Sequence, residues 1–374
     1  MADGADLQQS RDGARISTAR RGAAQTWFLG IIAFAVVLFL LVQAKFILIS
    51  LVVAIILFSL TSDAINWVAG FRFGRLRIPM TLAAIVAFGM IAAGLFVISV
   101  FVVTQANTVV QSMIGYTDQM RRAVVDIASI FGPDAQIAAQ GMVREFDFTP
   151  WLRGAAGQAG QIVSAAILIT LFVGFLFAER IWFTTKLQSL FGDADRADRA
   201  ERIMGSIIHR INRYLLVKTL VSAVTGFLAW AVAYAFGLDL AVPIGFLTFI
   251  LNYIPNVGSI VATVAGALLA FVQLGDVWLA LAVLGCLTLV QFTVGQIIDP
   301  LLLGRALRLS SLGIIISLAF WAAVWGIAGM FLAVPIMVAV MIVSSHIPAL
   351  RPVAVILSRE GLPDTENDLG PAGR

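Results

Sequence analysis

The sequence is poor in the residues that build most catalytic and metal sites. It has one cysteine and two histidines among 374 residues, and only 12% of its residues are charged. A single cysteine cannot form a disulfide within the chain, and so few thiols and imidazoles do not suggest a zinc site. No phosphate-binding loop ending in Gly-Lys is present, which excludes ATP hydrolysis by that route. Composition therefore predicts no enzyme, no cofactor and no nucleic-acid partner.

Apolar sequence is what the chain has in excess. Hydrophobic residues make up 60% of it, against about 45–50% in soluble domains. Long apolar stretches, which suit a hydrocarbon core about 30 Å thick, lie at 27–43, 46–61, 79–104, 160–182, 214–237 and 277–298. The first follows a polar lead that is long for a cleavable signal, so we expect a retained helix, with signal cleavage as the alternative.

Two further apolar segments, 241–272 and 311–345, fit neither one membrane span nor two. The sequence Asn-Tyr-Ile-Pro-Asn-Val-Gly (252–258) interrupts the first, and Trp-Gly-Ile-Ala-Gly (325–329) interrupts the second. Proline lacks a backbone N–H and breaks a helix. Each segment is predicted to be either one long kinked helix or a re-entrant hairpin. The fold class is thus an all-α polytopic membrane protein with about eight membrane segments in contact with lipid.

Basic residues predict the orientation. They cluster before the first span, at 72–77 and at 182–213, and cytoplasmic loops carry the excess of Lys and Arg. Both termini are then cytoplasmic. Arg305 and Arg308 fall on the cytoplasmic side only if both broken segments are hairpins, which mildly favours hairpins.

The order of span and broken segment, repeated over 214–345, is that of an inverted repeat. Transporters bind solutes and coupling ions where such repeats meet, on interrupted helices. We therefore predict a substrate or ion pathway. Its candidate residues are Asn252, Tyr253, Pro255, Asn256, Gly258, Ser259, Gln291, Gln296, Asp299 and Lys218. The two glutamines are five residues apart and do not share one face of a regular α-helix. The alternative is a structural kink whose Asn side chains bridge neighbouring helices.

Charged residues near the membrane have more than one interpretation, because their burial is expensive. Lys218 either snorkels to the cytoplasmic edge or contacts an anion or substrate. Asp299 either carries a coupling proton or pairs with Arg305. Glu179 and Arg180 are predicted to form an ion pair at the membrane surface.

Seven parts follow from these patterns. They are a disordered cytoplasmic N-terminus (1–25), three membrane helices (26–104), an extracytoplasmic amphipathic region (105–158), a fourth membrane helix (159–182), a cytoplasmic amphipathic helix (183–213), a core with the inverted repeat (214–346) and a cytoplasmic tail (347–374). The amphipathic parts show apolar residues at steps of three or four, as in Ile203, Ile207 and Ile211. A solvated face is the simplest interpretation of the 193–213 helix, and a lipid or partner surface is the alternative.

Three stretches resemble the AI-2E transporter family, named for exporters of the signal autoinducer-2. They are RYLLVKTLVSAVTG (213–226), PIGFLTFILNYIPNVGSIVA (243–262) and the run from 299 to 335. One departure is Gln296, where the family commonly has Asn. The resemblance extends over about residues 26–347. It implies a bacterial inner (plasma) membrane protein with cytoplasmic termini, a homo-oligomer, an exporter and, for some members, a sodium/proton antiporter.

The favoured function is secondary transport or export of a small solute, with sodium or proton coupling implied by the resemblance. A passive oligomeric channel and a membrane scaffold without transport are the alternatives. A scaffold has no need of polar breaks in its membrane segments, so the breaks favour transport.

Overall fold

The computed structural model describes residues 28–70, 80–116, 119, 122, 124, 125, 128, 129, 132–145, 149–303, 309–359 and 361. The predicted N-terminal tail, the basic residues at 72–77, Arg305, Arg308 and most of the C-terminal tail lie outside this part of the chain. Every regular element within it is helical, and Leu309 and Ser358 form an isolated β-bridge.

Fourteen α-helices have both ends in the described residues. The first seven are α1 (Phe28–Gln43), α2 (Lys45–Gly70), α3 (Met80–Gly115), α4 (Pro133–Glu145), α5 (Thr149–Glu179), α6 (Phe183–Phe191) and α7 (Ala194–Ala235). The others are α8 (Ala241–Leu251), α9 (Val257–Leu274), α10 (Val277–Thr293), α11 (Asp299–Leu303), α12 (Ser311–Trp325), α13 (Ile327–His346) and α14 (Arg351–Leu357). Turns of 3-10 helix lie at Arg180–Trp182 and Pro348–Leu350, and a π-helical turn lies at Val294–Ile298.

The predicted fold class is confirmed. Seven helical stretches in the described residues are long and apolar enough to cross a membrane, and α1, α8 and α12 are shorter apolar helices. The chain is an all-α, multi-pass membrane protein.

Both broken segments are helical hairpins. Five irregular residues separate α8 from α9, and one separates α12 from α13. In the first hairpin Ile244 lies beside Gly266. In the second the Ser317 hydroxyl donates to the carbonyl of Ala333 at 3.0 Å. Each contact joins one residue before the break to one residue after it, at nearly equal distances along the sequence, as two antiparallel arms require. The kinked-helix alternative is therefore excluded.

Glycine is required where the arms of each hairpin separate. Gly326 has φ 66° and ψ −141°, a conformation that side chains rarely adopt. A Cβ atom on Gly329 would lie 2.0 Å from the carbonyl oxygen of Trp321, and one on Gly258 would lie 1.7 Å from that of Leu251. A side chain at either position would push the two arms apart.

The helix α7 joins two parts that the sequence had separated. The predicted amphipathic helix ending at 213 and the predicted span beginning at 214 form one 42-residue helix, since no proline interrupts it. Its apolar face at Ile203, Ile207 and Ile211 packs against α13 and α14. In the same way α3 continues to Gly115, past the predicted boundary at 104.

The first hairpin lies directly against α7 through two glycines. A Cβ atom on Gly226 of α7 or on Gly245 of α8 would lie 2.8 Å from the carbonyl oxygen of the other residue. Small residues allow such close approach between helix backbones in membranes. The crossing fixes where the tip of the hairpin meets α7.

A hydrogen-bonded cluster ties the base of this hairpin to α3. The Tyr116 hydroxyl donates to Oδ2 of Asp239 at 2.7 Å, and the Asp239 N–H donates to Oε1 of Gln273 at 3.1 Å. The bond to Asp239 is the main cause of a raised pKa at Tyr116. The predicted loop residue Asp239 thus holds three elements together.

The predicted ion pair at the end of α5 forms with a different partner. Glu179 pairs with Lys186 of α6 instead of Arg180. The 3-10 turn after Glu179 departs from the α-helical path, which brings the side chain seven residues away into reach.

Candidate functional site

A cavity of about 600 Å³ lies between α7, the tip of the first hairpin, α9, α10 and the π-helical turn. Eight of the ten predicted pathway residues line it, namely Lys218, Asn252, Pro255, Asn256, Ser259, Gln291, Gln296 and Asp299. Tyr253 and Gly258 are not among the lining residues. The sequence prediction missed Tyr214, Thr263 and Thr288, although Thr263 follows Ser259 by four residues and so shares its helix face.

Asn256 adopts a strained backbone conformation at the cavity wall. Its φ is 61° and its ψ is −54°, and it is the one non-glycine residue with positive φ in the described part of the chain. The Val257 N–H donates to the Pro255 carbonyl at 2.7 Å, which closes a three-residue γ-turn of the rare, strained type. Asparagine tolerates positive φ better than most residues.

The Asn256 side chain is exposed at the cavity. It has no hydrogen bond to any described residue, so its amide is available to a solute.

Asn252 and Tyr253 anchor the tip of the hairpin instead. The buried Asn252 Nδ2 donates to the Ser222 hydroxyl at 3.0 Å. The Tyr253 hydroxyl donates to Thr219 Oγ1 at 2.7 Å, and its ring stacks on Phe331 with the centroids 4.6 Å apart. The helix-bridging alternative therefore describes Asn252, whereas Asn256 forms no such bridge in the described residues.

Lys218 and Asp299 form an ion pair inside the protein. The Lys218 ammonium donates to Asp299 Oδ2 at 2.7 Å, and the two side chains are 5% and 20% exposed. Burial of Lys218 excludes snorkelling to the surface. Asp299 thus has a partner on α7, while the predicted partner Arg305 is not described. The second carboxylate oxygen, Oδ1, is buried and has no hydrogen-bond partner among the described residues, so one acceptor of the pair is unused there.

The π-helical turn brings Gln291 and Gln296 to the same cavity. The Asp299 N–H donates to the carbonyl of Val294, five residues before it. A π-helical turn replaces the i→i+4 hydrogen bond by an i→i+5 bond, and such turns are frequent at functional sites. Both glutamines line the cavity, Gln291 from the end of α10 and Gln296 from the π-helical turn.

The second hairpin contributes its arms to the cavity and not its tip. Ile314 and Val334 line the cavity, and Ile254 from the first tip packs between the arms of the second hairpin. The break near Gly326 lies elsewhere, because the Trp325 indole N–H donates to the carbonyl of Leu41 at 3.0 Å. The two breaks therefore occupy different surroundings.

Neutral donors and acceptors dominate the polar lining of the cavity. The ion pair cancels its own charge, and amides, hydroxyls and apolar side chains make up the rest. A mostly apolar pocket with a few placed polar groups is typical of a small-molecule site. No cluster of His, Cys, Asp and Glu suitable for a metal ion occurs in the part of the chain that the structure describes.

Comparison with known proteins agrees with this architecture. The family described as AI-2E family transporter matches residues 29–349. The AI-2 transport protein TqsA of Escherichia coli is 27% identical over 318 residues, which cover 83% of this chain and 88% of that protein. A protein of Haemophilus influenzae named "Putative transport protein" is 26% identical over 288 residues, covering 75% of this chain and 82% of that protein. The family match extends over well more than half of the chain, and the protein therefore belongs to the AI-2E transporter family, a family of membrane transport proteins.

Proposed function

We propose that this protein is a secondary transporter that exports a small polar solute across the bacterial inner membrane. The observation that carries the proposal is the cavity of about 600 Å³ at an interrupted helix, lined by amide and hydroxyl groups. Non-helical backbone at membrane depth is tolerated where it is buried in protein or lines a cavity. The name of the relative TqsA makes autoinducer-2 the first solute to test.

Within this site Asn256 is the proposed solute contact. Its amide faces the cavity and its backbone is held in a strained turn. Strained backbone persists at sites where the surrounding structure holds it, often for a functional reason. Gln291, Gln296 and Ser259 supply further donors and acceptors around the same space.

Asp299 is the proposed coupling group. Its Oδ1 atom has no partner in the described part of the chain, and its Oδ2 atom is held by Lys218. A proton or a sodium ion would satisfy the free oxygen, and ionisable residues at membrane depth are typical of such relays. Because no ATP-binding loop is present in the sequence, uphill transport would draw on an ion gradient.

The proposed orientation has both termini in the cytoplasm, and the proposed assembly is a homo-oligomer. The clusters of Arg and Lys support the orientation, and the family resemblance supports the assembly. A membrane-impermeant thiol reagent should label Gln119→Cys and Arg199→Cys from opposite sides. Labelling of both from one side would overturn the orientation.

The transport proposal is tested by flux into liposomes that contain the purified protein. Autoinducer-2 and a set of small polyols would be supplied under an imposed sodium gradient, an imposed proton gradient or neither. We expect uptake that depends on one gradient and is lost in Asp299→Asn, while Gly285→Ala transports as the wild type does. Gly285 has open space around its Cα and lies outside the cavity. Flux independent of both gradients would indicate a passive channel, and no flux of any solute would favour a scaffold.

A further inference from the structure

The segment 180–191, between α5 and α7, has an apolar face that no described part of the protein covers. It consists of the 3-10 turn Arg180–Trp182 and the helix α6, and neither contains a buried residue. Ile181 and Leu190 are each 78% exposed, and Trp182 is 60% exposed. Side chains of this size are seldom left in water when they lie together.

The apolar residues of α6 form one stripe. Phe183, Leu187, Leu190 and Phe191 occupy positions i, i+4, i+7 and i+8, and Thr, Lys, Gln and Ser fill the opposite face. This spacing places the four apolar side chains on one side of a helix. The result is a short amphipathic helix with one apolar and one polar face.

Chain geometry puts this helix at the edge of the bilayer. The apolar helical stretch Gly160–Phe191 has 32 residues, or about 48 Å at 1.5 Å per residue, whereas the hydrocarbon core is about 30 Å thick. The first charged residue after residue 160 is Glu179, which pairs with Lys186 across the bend between α5 and α6. The excess length therefore begins at Glu179, immediately outside the hydrocarbon.

We propose that residues 180–191 form an interfacial anchor whose apolar stripe inserts into the headgroup region of the bilayer. Interfacial helices combine an apolar face with a charged or polar one. Trp and Tyr are enriched at this depth, where Trp182 would lie. Lys186 can remain at the water boundary with its aliphatic stem along the lipid. Because α6 is followed after two residues by α7, this anchor also fixes the end of the helix that carries Lys218.

The test is spin labelling of the full-length protein in nanodiscs of phosphatidylethanolamine and phosphatidylglycerol. In a Cys286→Ser background, single cysteines are placed at Phe183 and Leu190 on the apolar face, and at Thr185 and Ser189 on the polar face. Collision with oxygen, which concentrates in lipid, is compared with collision with a water-soluble nickel chelate. All four positions are exposed, so labels at these sites should not disturb the fold. Size-exclusion profiles check this.

We expect the labels at Phe183 and Leu190 to collide with oxygen several-fold more than with the chelate, and the labels at Thr185 and Ser189 to show the reverse. Equal access of the chelate to all four labels would overturn the proposal. So would spin–spin broadening at Leu190 that disappears when labelled protein is diluted with unlabelled protein, since the stripe would then face a second copy of the chain.

Discussion

Replacing Asn256 by glycine separates the two roles that its position combines. The backbone needs a residue that tolerates a φ of 61°, and the proposed site needs an amide in the cavity. Asn256→Gly removes the amide and keeps the backbone conformation available. Asn256→Ala removes the amide and adds a steric penalty, so it tests both roles together.

The expected stabilities of the two variants follow from the backbone. Alanine in a left-handed conformation costs about 1–2 kcal/mol. Glycine avoids this penalty but loses about 0.4–1 kcal/mol through the greater freedom of the unfolded chain. The glycine variant should therefore be the more stable of the two by roughly 1 kcal/mol. No described side chain loses a hydrogen bond in either variant, because the Asn256 amide has no such partner.

Flux per folded molecule and thermal unfolding are measured on one preparation of each variant. We expect both variants to lose transport, although Asn256→Gly keeps nearly the wild-type melting temperature. Asn256→Asp keeps the shape and the tolerance of positive φ, so it shows whether the NH₂ donor is needed. Wild-type flux in Asn256→Gly would refute the amide contact and leave Asn256 a purely conformational role.

Three further changes test the framework of the site by thermal unfolding. Lys218→Met should destabilise the protein by an amount near the lower end of about 3–5 kcal/mol, because it leaves the Asp299 charge buried without a partner. Adding Asp299→Leu should restore most of the lost stability. Equal stability of the single variant and the wild type would contradict a buried pair. Gly245→Ala should lower the stability by about 1–3 kcal/mol by forcing two helix backbones apart, whereas Gly285→Ala should leave the stability unchanged. Similar stability changes in both variants would refute the close crossing. Tyr116→Phe should lower the stability by about 0.5–1.5 kcal/mol, because the hydrogen bond to Asp239 is lost. In the wild type the stability from this bond should persist at neutral pH and be lost as the pH rises through the raised pKa of Tyr116. Equal stability of the variant and the wild type would show that the bond adds nothing.

The membrane helices and both breaks were predictable because their signals are local. A run of apolar residues predicts a span, and Pro255 with its neighbouring Asn and Gly predicts an interruption. The choice between hairpin and kinked helix depends on contacts between arms, such as that of Ser317 with Ala333, which no local pattern encodes. The continuity of α7 was missed because a change from mixed to apolar composition near residue 213 marks a change of environment and not the end of a helix.

The residues of the candidate site were easier to predict than their partners. Polar residues in apolar segments are few, so Lys218, Asp299 and the glutamines could be selected from the sequence. The pairing of Lys218 with Asp299 joins residues 81 positions apart, and it depends on how α11 packs beside α7. The π-helical turn depends on one extra residue in a helical turn, and the sequence has no reliable signal for it.

The helix α7 explains why strain can concentrate at Asn256. Lys218, Ser222 and Gly226 follow one another at intervals of four, and Thr219 lies beside them. Lys218 forms an ion pair with Asp299 at the start of α11. Thr219 and Ser222 each bond to one residue of the hairpin tip, and Gly226 contacts one arm of the same hairpin. Each interhelical hydrogen bond in a membrane averages about 0.6 kcal/mol and reaches about 1.7, so together they can offset a strained turn that costs about 1–3 kcal/mol. Asn252 and Tyr253 are thus fixed to α7, whereas Asn256 faces the cavity without a side-chain partner among the described residues. A solute that bonds to this amide would act on the least restrained part of the tip, so any movement on binding should begin between Pro255 and Val257.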